Sequence, residues 1–164
     1  MLLLWFVSNC GGKRKEVFHS LASLLPPEKV KVYGGCGERH PCGRSVFQNT
    51  DCLAEVAQPY KFYASFENNR CDGYITEKLW TAMRYGMVPI VWGGRSREDY
   101  EKLIPKGSFI HVDDFSTVAD LASFLQELDK DAERYEKYFE WRKRYHIMSG
   151  LDLFEQKYCE LCTE

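Results

Sequence analysis

The sequence predicts an α/β fold, a Rossmann-like and mainly parallel sheet with helices on both faces. Three observations carry this. Short apolar or aromatic runs recur at residues 2–7 (LLLWFV), 60–66 (YKFYASF) and 87–92 (MVPIVW), each ending in a polar or glycine-containing turn. Each turn leads into a segment with apolar residues at helical spacing. Strands alternating with helices along the chain favour a doubly wound parallel sheet over an antiparallel one.

The elements follow in order. Residues 2–7 form a buried strand, too short to cross a membrane. Ser8-Asn9-Cys10-Gly11-Gly12 turns the chain, and Val17, Phe18, Leu21, Leu24 and Leu25 mark one face of a helix that opens on Lys13-Arg14-Lys15. Residues 29–33 (KVKVY) read as a short strand, followed by a glycine- and cysteine-rich connection to about residue 51 and a short helical piece at 53–57. Residues 60–66 alternate as a half-buried strand does, Phe66 to Arg70 turns, and a helix starts at Thr76 as N-cap with Leu79, Ala82 and Met83 on its face. The proline in 87–92 suits the end of a strand or an edge better than the middle of a ladder. A short helix at 96–103, a small strand at 108–111 ending at His111, an amphipathic helix at 114–128 and further helices at 130–145 and 151–161 complete the chain, with a hinge at 146–150.

Both helix starts carry cations where an isolated helix favours acids. Lys13-Arg14-Lys15 and Lys78 stand at the positive end of the macrodipole, and each such charge costs about 0.3–1 kcal/mol. An anion bound between the two turns removes that cost, because ligands of open α/β sheets bind outside the carboxyl ends of the strands. The bland alternative is two unrelated surface charge clusters. Composition adds little: 45% hydrophobic and 28% charged residues describe an ordinary globular domain. The balance of 22 basic against 24 acidic residues excludes the polyelectrolyte signature of a nucleic-acid binder. Residues 1–4 (MLLL) lack the charged start and cleavage site of a signal peptide.

Taken together these residues resemble the α1,3-fucosyltransferases, glycosyltransferase family ten, which are inverting enzymes that use GDP-fucose. The resemblance rests on Tyr60-Lys61-Phe62-Tyr63, Phe66-Glu67-Asn68, Tyr74-Ile75-Thr76-Glu77-Lys78, Val88-Pro89-Ile90-Val91 and Gly93-Gly94. Flanking matches are Val7-Ser8-Asn9 with Arg14, Val32-Tyr33-Gly34, residues 109–115 (FIHVDDF), Leu128-Asp129-Lys130 and residues 138–142 (YFEWR). It runs in order through nearly all 164 residues. It implies the C-terminal, donor-binding half of a GT-B-type glycosyltransferase: residues 1–148 as the GDP-fucose domain and 149–164 as a helix that packs on the N-terminal half.

The resemblance also implies roles. Arg14 and Lys78 serve the diphosphate, and Glu77 hydrogen-bonds sugar hydroxyls and favours positive charge on the fucose ring. Tyr74 and Asn68 contact the donor, and Thr76 lies in the same donor-binding segment. From the residues themselves, Glu67 beside Asn68 caps or orients the turn, and Ser8 and Asn9 are expected to line the first turn near the phosphates. Each has a plainer reading: Glu77 as a helix-start acid, Tyr74 as packing, Asn68 as a turn former, Ser8 and Asn9 as turn caps.

No general base for the acceptor stands out among His19, His40, His111 and His146. The family carries that carboxylate in its acceptor-binding half, so the chain reads as a fragment that binds GDP-fucose weakly and transfers almost none. The expected partners are GDP-fucose and, through the other half, a glycan acceptor. The expected setting is the Golgi lumen, as part of a type II membrane protein whose anchor lies outside this sequence. No spaced DxD pair is present, and Asp113-Asp114 precede a helix as capping residues do, so no metal or other cofactor is expected.

Seven cysteines point to an oxidising compartment, with unbridged cytosolic thiols as the alternative. Cys10, Cys36, Cys42, Cys52 and Cys71 can form internal bridges whose connectivity the sequence leaves open. In the family, a C-terminal pair like Cys159 and Cys162 bridges to the other half. Another nucleotide-sugar transferase, or a nucleotide-sugar-binding module without catalysis, remains the alternative function.

Overall fold

The computed structural model describes residues 1–43, 50–71 and 74–148. The helix expected at 151–161, the pair Cys159 and Cys162, and the end of the hinge at 149–150 lie outside the described residues. Among the described residues five parallel strands form one sheet in the order β2-β1-β3-β4-β5, with β1 at Leu3–Phe6, β2 at Val30–Tyr33, β3 at Phe62–Phe66, β4 at Val88–Trp92 and β5 at Ile110–His111. The helices are α1 Lys13–Ala22, α2 Thr50–Ala57, α3 Glu77–Arg84, α4 Arg97–Glu101, α5 Val118–Lys130 and α6 Ala132–Glu136.

Alternate side chains along each strand feed two cores, as the twofold period of a strand requires. Leu3, Trp5, Phe62, Ala64, Phe66, Ile90 and Trp92 meet Phe18 and Leu21 of α1 and Leu121, Leu125 and Leu128 of α5 on one face. Leu4, Phe6 and Tyr63 meet Leu53 and Ala57 of α2 and Ala82 of α3 on the other face. On that second face Val91 packs with Leu79 and Met83 of α3 and Tyr100 of α4. Trp5 stacks on Phe18 at 4.1 Å between ring centroids and holds the first core together.

Several expectations are corrected here. The 60–66 strand is buried on both sides, because β3 lies between β1 and β4 with helices over both faces. Pro89 sits inside a central strand rather than at an edge. The Val88 amide donates to Lys61 O on the β3 side, so the alternating backbone turns the Pro89 nitrogen toward β5. There β5 begins only opposite Ile90, so no ladder bond is lost. The Asp113-Asp114 pair does not cap a helix. It lies in a 3-10 turn, where Asp113 pairs with Arg70 at 2.9 Å and Asp114 receives the fork of Arg97. The α5 start is instead a capping box made by Thr117 and Asp120. The 130–145 helix is broken: Asp131 caps the short α6, and a 3-10 helix at Lys137–Lys143 follows.

Candidate functional site

The chain crosses from β2 to the far side of β1 to form β3, so the direction of winding reverses between β1 and β3. Helix α1 leaves β1 on one face and α3 follows β3 on the other, yet both begin at the carboxyl edge of the sheet. At such a switch point the loops diverge and leave a crevice. A cavity of about 910 Å³ lies there, lined by Ser8, Asn9, Arg14, Asn68, Glu77 and Lys78 among others. Arg14 and Lys78 therefore face one space although their helices cover opposite faces. A second cavity, of about 690 Å³, lies between the end of α3 and α4, and none of the donor-site candidates Ser8, Asn9, Arg14, Glu67, Asn68, Tyr74, Thr76, Glu77 and Lys78 lines it.

Both helices that open on the cavity start without a side-chain cap, whereas α4, α5 and α6 are capped by Ser96, Thr117 and Asp131. No N-cap side chain takes the first amides of α1 and α3, and the third amide of each bonds only to the backbone, Lys15 N to Gly12 O at 3.1 Å and Leu79 N to Thr76 O at 3.4 Å; helix starts that hold anions are built without such a cap.

Arg14 is less solvent-facing than its place at a helix start implied. The residue is 4% exposed. Nη1 donates to Phe66 O at 3.2 Å and Nη2 donates to Asn9 O at 2.8 Å, which ties the ends of β3 and β1 together. The guanidinium carbon lies 5.9 Å from the centre of the Trp5 ring, and Nε has no partner among the described residues. Burial draws the Arg14 pKa below its ordinary value, against the opposing pull of Glu67 and Tyr74.

Lys78 is 16% exposed and donates to Thr76 Oγ1 at 2.8 Å and Glu77 Oε1 at 3.2 Å. Burial would raise the Glu77 carboxyl, but the Lys78 charge beside it and further hydrogen bonds hold it below the usual carboxylate range. Glu77 is therefore ionised at neutral pH and, at 54% exposure, faces the cavity with one oxygen engaged by Lys78. Thr76 is the N-cap residue of α3 by backbone geometry, but its hydroxyl serves Glu67 and Lys78 instead of a helix amide. Glu67 and Thr76 stand behind Lys78 and do not line the cavity. Tyr74 is exposed and also outside the lining, within electrostatic range of Arg14.

The sequence reading missed the β2 side of the cavity, formed by Tyr33, Gly34, Gly37, Arg39 and His40, and also Tyr63. The signal was the glycine-rich run. A Cβ on Gly34, at φ +109°, would lie 2.4 Å from Val7 O, so only glycine lets this loop press on the end of β1. The Cys10–Cys36 disulfide then joins the β1 and β2 loops, and Cys42–Cys52 joins the far end of the connection to α2, while Cys71 is free. His40 packs 4.5 Å from Phe6, and its Nδ1 accepts the Cys42 amide at 3.1 Å. That bond puts the proton of the neutral ring on Nε2, and burial pulls the pKa down. Burial also pushes the Tyr63 phenol upward, so it stays protonated. Among the described residues no cluster of three or more histidines, cysteines or carboxylates stands ready for a metal ion. No described helix is long and apolar enough to cross a membrane.

Fold and cavity together define a doubly wound α/β domain with its site at the switch point. The chain belongs to glycosyltransferase family 10, the fucosyltransferases, whose C-terminal family model matches residues 1–164. It is 43% identical over 141 residues to the Drosophila melanogaster protein named glycoprotein 3-alpha-L-fucosyltransferase A, covering 84% of this chain and 27% of that protein. It is 45% identical over 145 residues to the Homo sapiens protein named 4-galactosyl-N-acetylglucosaminide 3-alpha-L-fucosyltransferase FUT6, covering 87% of this chain and 37% of that protein. The chain thus spans between about a quarter and two fifths of these relatives' length. A crystal structure of an alpha1,3-fucosyltransferase with GDP-fucose has the same fold, with a TM-score of 0.68 at 23% identity, over 91% of this chain and 40% of that one.

Proposed function

We propose that this chain is the donor-binding half of an inverting α1,3-fucosyltransferase that moves L-fucose from GDP-fucose to a GlcNAc hydroxyl of a glycoprotein or glycolipid glycan. One observation carries the proposal: cations from helices on opposite faces of the sheet meet in one cavity, beside two uncapped helix starts. Glycosyl transfer needs the departing diphosphate stabilised as the sugar–oxygen bond breaks, and preorganised donors aimed at that growing charge lower the barrier. Lys78 supplies a point charge there. Arg14 keeps N–H groups to spare after its two backbone bonds, so it fixes the loops and faces the phosphates together.

Glu77, ionised beside the same space, favours positive charge developing on the fucose ring. Ser8, Asn9, Asn68 and the protonated Tyr63 provide neutral polar contacts, and the exposed Tyr74 is the further donor contact. Cationic side chains and helix amides carry the leaving-group charge in this reading, with no metal required. Residues 1–148 form the donor unit, and the acceptor-binding half of the full-length enzyme supplies the general base. In this reading the full-length enzyme is a type II membrane protein of the Golgi lumen.

Thermal unfolding with added donors tests this reading. A ligand that binds only the folded state at 100 times its Kd stabilises it by about 2.7 kcal/mol. GDP-fucose is expected to raise Tm well beyond GDP-mannose and UDP-galactose at equal concentration. Equal shifts with all three would leave a generic nucleotide binder, and no shift with any would leave no nucleotide site.

A further inference from the structure

We infer that Glu67 is a positioning residue for Lys78. This rests on the reading of the cavity as a nucleoside-diphosphate site, and it concerns a carboxylate that never touches the ligand. Glu67 is 2% exposed. Its backbone amide donates to Trp92 O at 2.9 Å, so β4 pins the residue in place. Oε1 accepts from the Thr76 amide at 2.8 Å and from Thr76 Oγ1 at 3.0 Å. Oε2 lies 2.9 Å from the same hydroxyl and 3.5 Å from Lys78 Nζ.

A buried carboxylate is tolerated only when paired and hydrogen-bonded, and these contacts meet both demands at once. They also fix direction. The single Thr76 hydroxyl proton goes to Glu67, so the hydroxyl oxygen is left to accept from Lys78. The ammonium has three protons and, among the described residues, three oxygen neighbours: Thr76 Oγ1, Glu77 Oε1 and Glu67 Oε2. Thr76 and Glu67 are held by the fold, whereas the Glu77 carboxylate is more than half exposed. An incoming phosphate oxygen therefore takes the place of Glu77 on Lys78, while Glu67 and Thr76 keep the ammonium aimed at the cavity. The same exchange releases the Glu77 carboxylate toward the sugar.

Calorimetric titration of the full chain with GDP tests this through a double-mutant cycle. Glu67→Gln keeps the shape and removes the charge, and is expected to weaken GDP binding about tenfold, with Lys78→Met weakening it more. If Glu67 acts through Lys78, the double variant binds no more weakly than Lys78→Met alone. Losses that multiply in the double variant, or unchanged affinity in Glu67→Gln, overturn the proposal. Should Glu67→Gln fail to unfold cooperatively, Thr76→Val removes the shared hydroxyl and is expected to give the same pattern: weaker GDP binding in the parent and none lost further in the Lys78→Met background. Absence of GDP binding by the unaltered chain overturns the nucleotide reading and this proposal with it. Binding by the unaltered chain with an additive cycle overturns this proposal alone.

Discussion

Arg14→Ala is expected to destabilise the fold by about 3 kcal/mol and to weaken GDP binding by about 100-fold. The reason is that one side chain serves two purposes. Its Nη atoms satisfy Phe66 O and Asn9 O at the ends of β3 and β1, and its plane lies over Trp5. Truncation leaves the Phe66 carbonyl buried without a donor, which alone costs about 1–3 kcal/mol, and opens a gap beside Trp5. The two strand ends then lose their tie, and the cavity between them loses its shape along with a charge. Arg14→Lys is not a mild change, since a single ammonium cannot reproduce a fork that spans two carbonyls. Urea unfolding and GDP titration of the same variants check both parts. A loss of binding with unchanged stability would mean the backbone bonds carry little weight.

Lys78→Met is expected to raise the Kd for GDP by about 30-fold or more, because a hydrogen bond to a charged group contributes about 1.5–3 kcal/mol. Met retains the length and apolar stem of lysine, so the packing at the start of α3 persists. Added salt is expected to weaken GDP binding to the parent chain more than to the variant, since one screened charge pair is gone. Titrations at low and high ionic strength give the answer. Equal Kd values in parent and variant would remove Lys78 from the diphosphate.

These two residues were visible in the sequence for the same reason they matter. A lysine or arginine in the first turn of a helix runs against the macrodipole, and the anomaly needs no tertiary knowledge to notice. The apolar runs of β1, β3 and β4 and the helical spacing of Phe18 and Leu21 were legible for an equally local reason. What was not legible depended on neighbours. Pro89 looked like an edge residue because nothing in the sequence says that β5 starts one residue later in register. Asp113 and Asp114 looked like helix caps because Arg70 and Arg97 lie far along the chain. The burial of Arg14 required knowing that β1 and β3 are adjacent, and the role of Tyr33 and His40 required knowing that β2 flanks β1. Cysteine pairing was open for the same reason: Cys10 and Cys36 meet only because two loops share one edge of the sheet.

The central claim is that the positive ends of α1 and α3 converge on one pyrophosphate. A crystal structure of this chain with GDP tests it most directly. The expected result places diphosphate oxygens about 2.7–3.2 Å from Lys78 Nζ and from the Arg14 guanidinium or the first amides of α1. A diphosphate bound between α3 and α4, or one that touches neither Lys78 nor the start of α1, would contradict it.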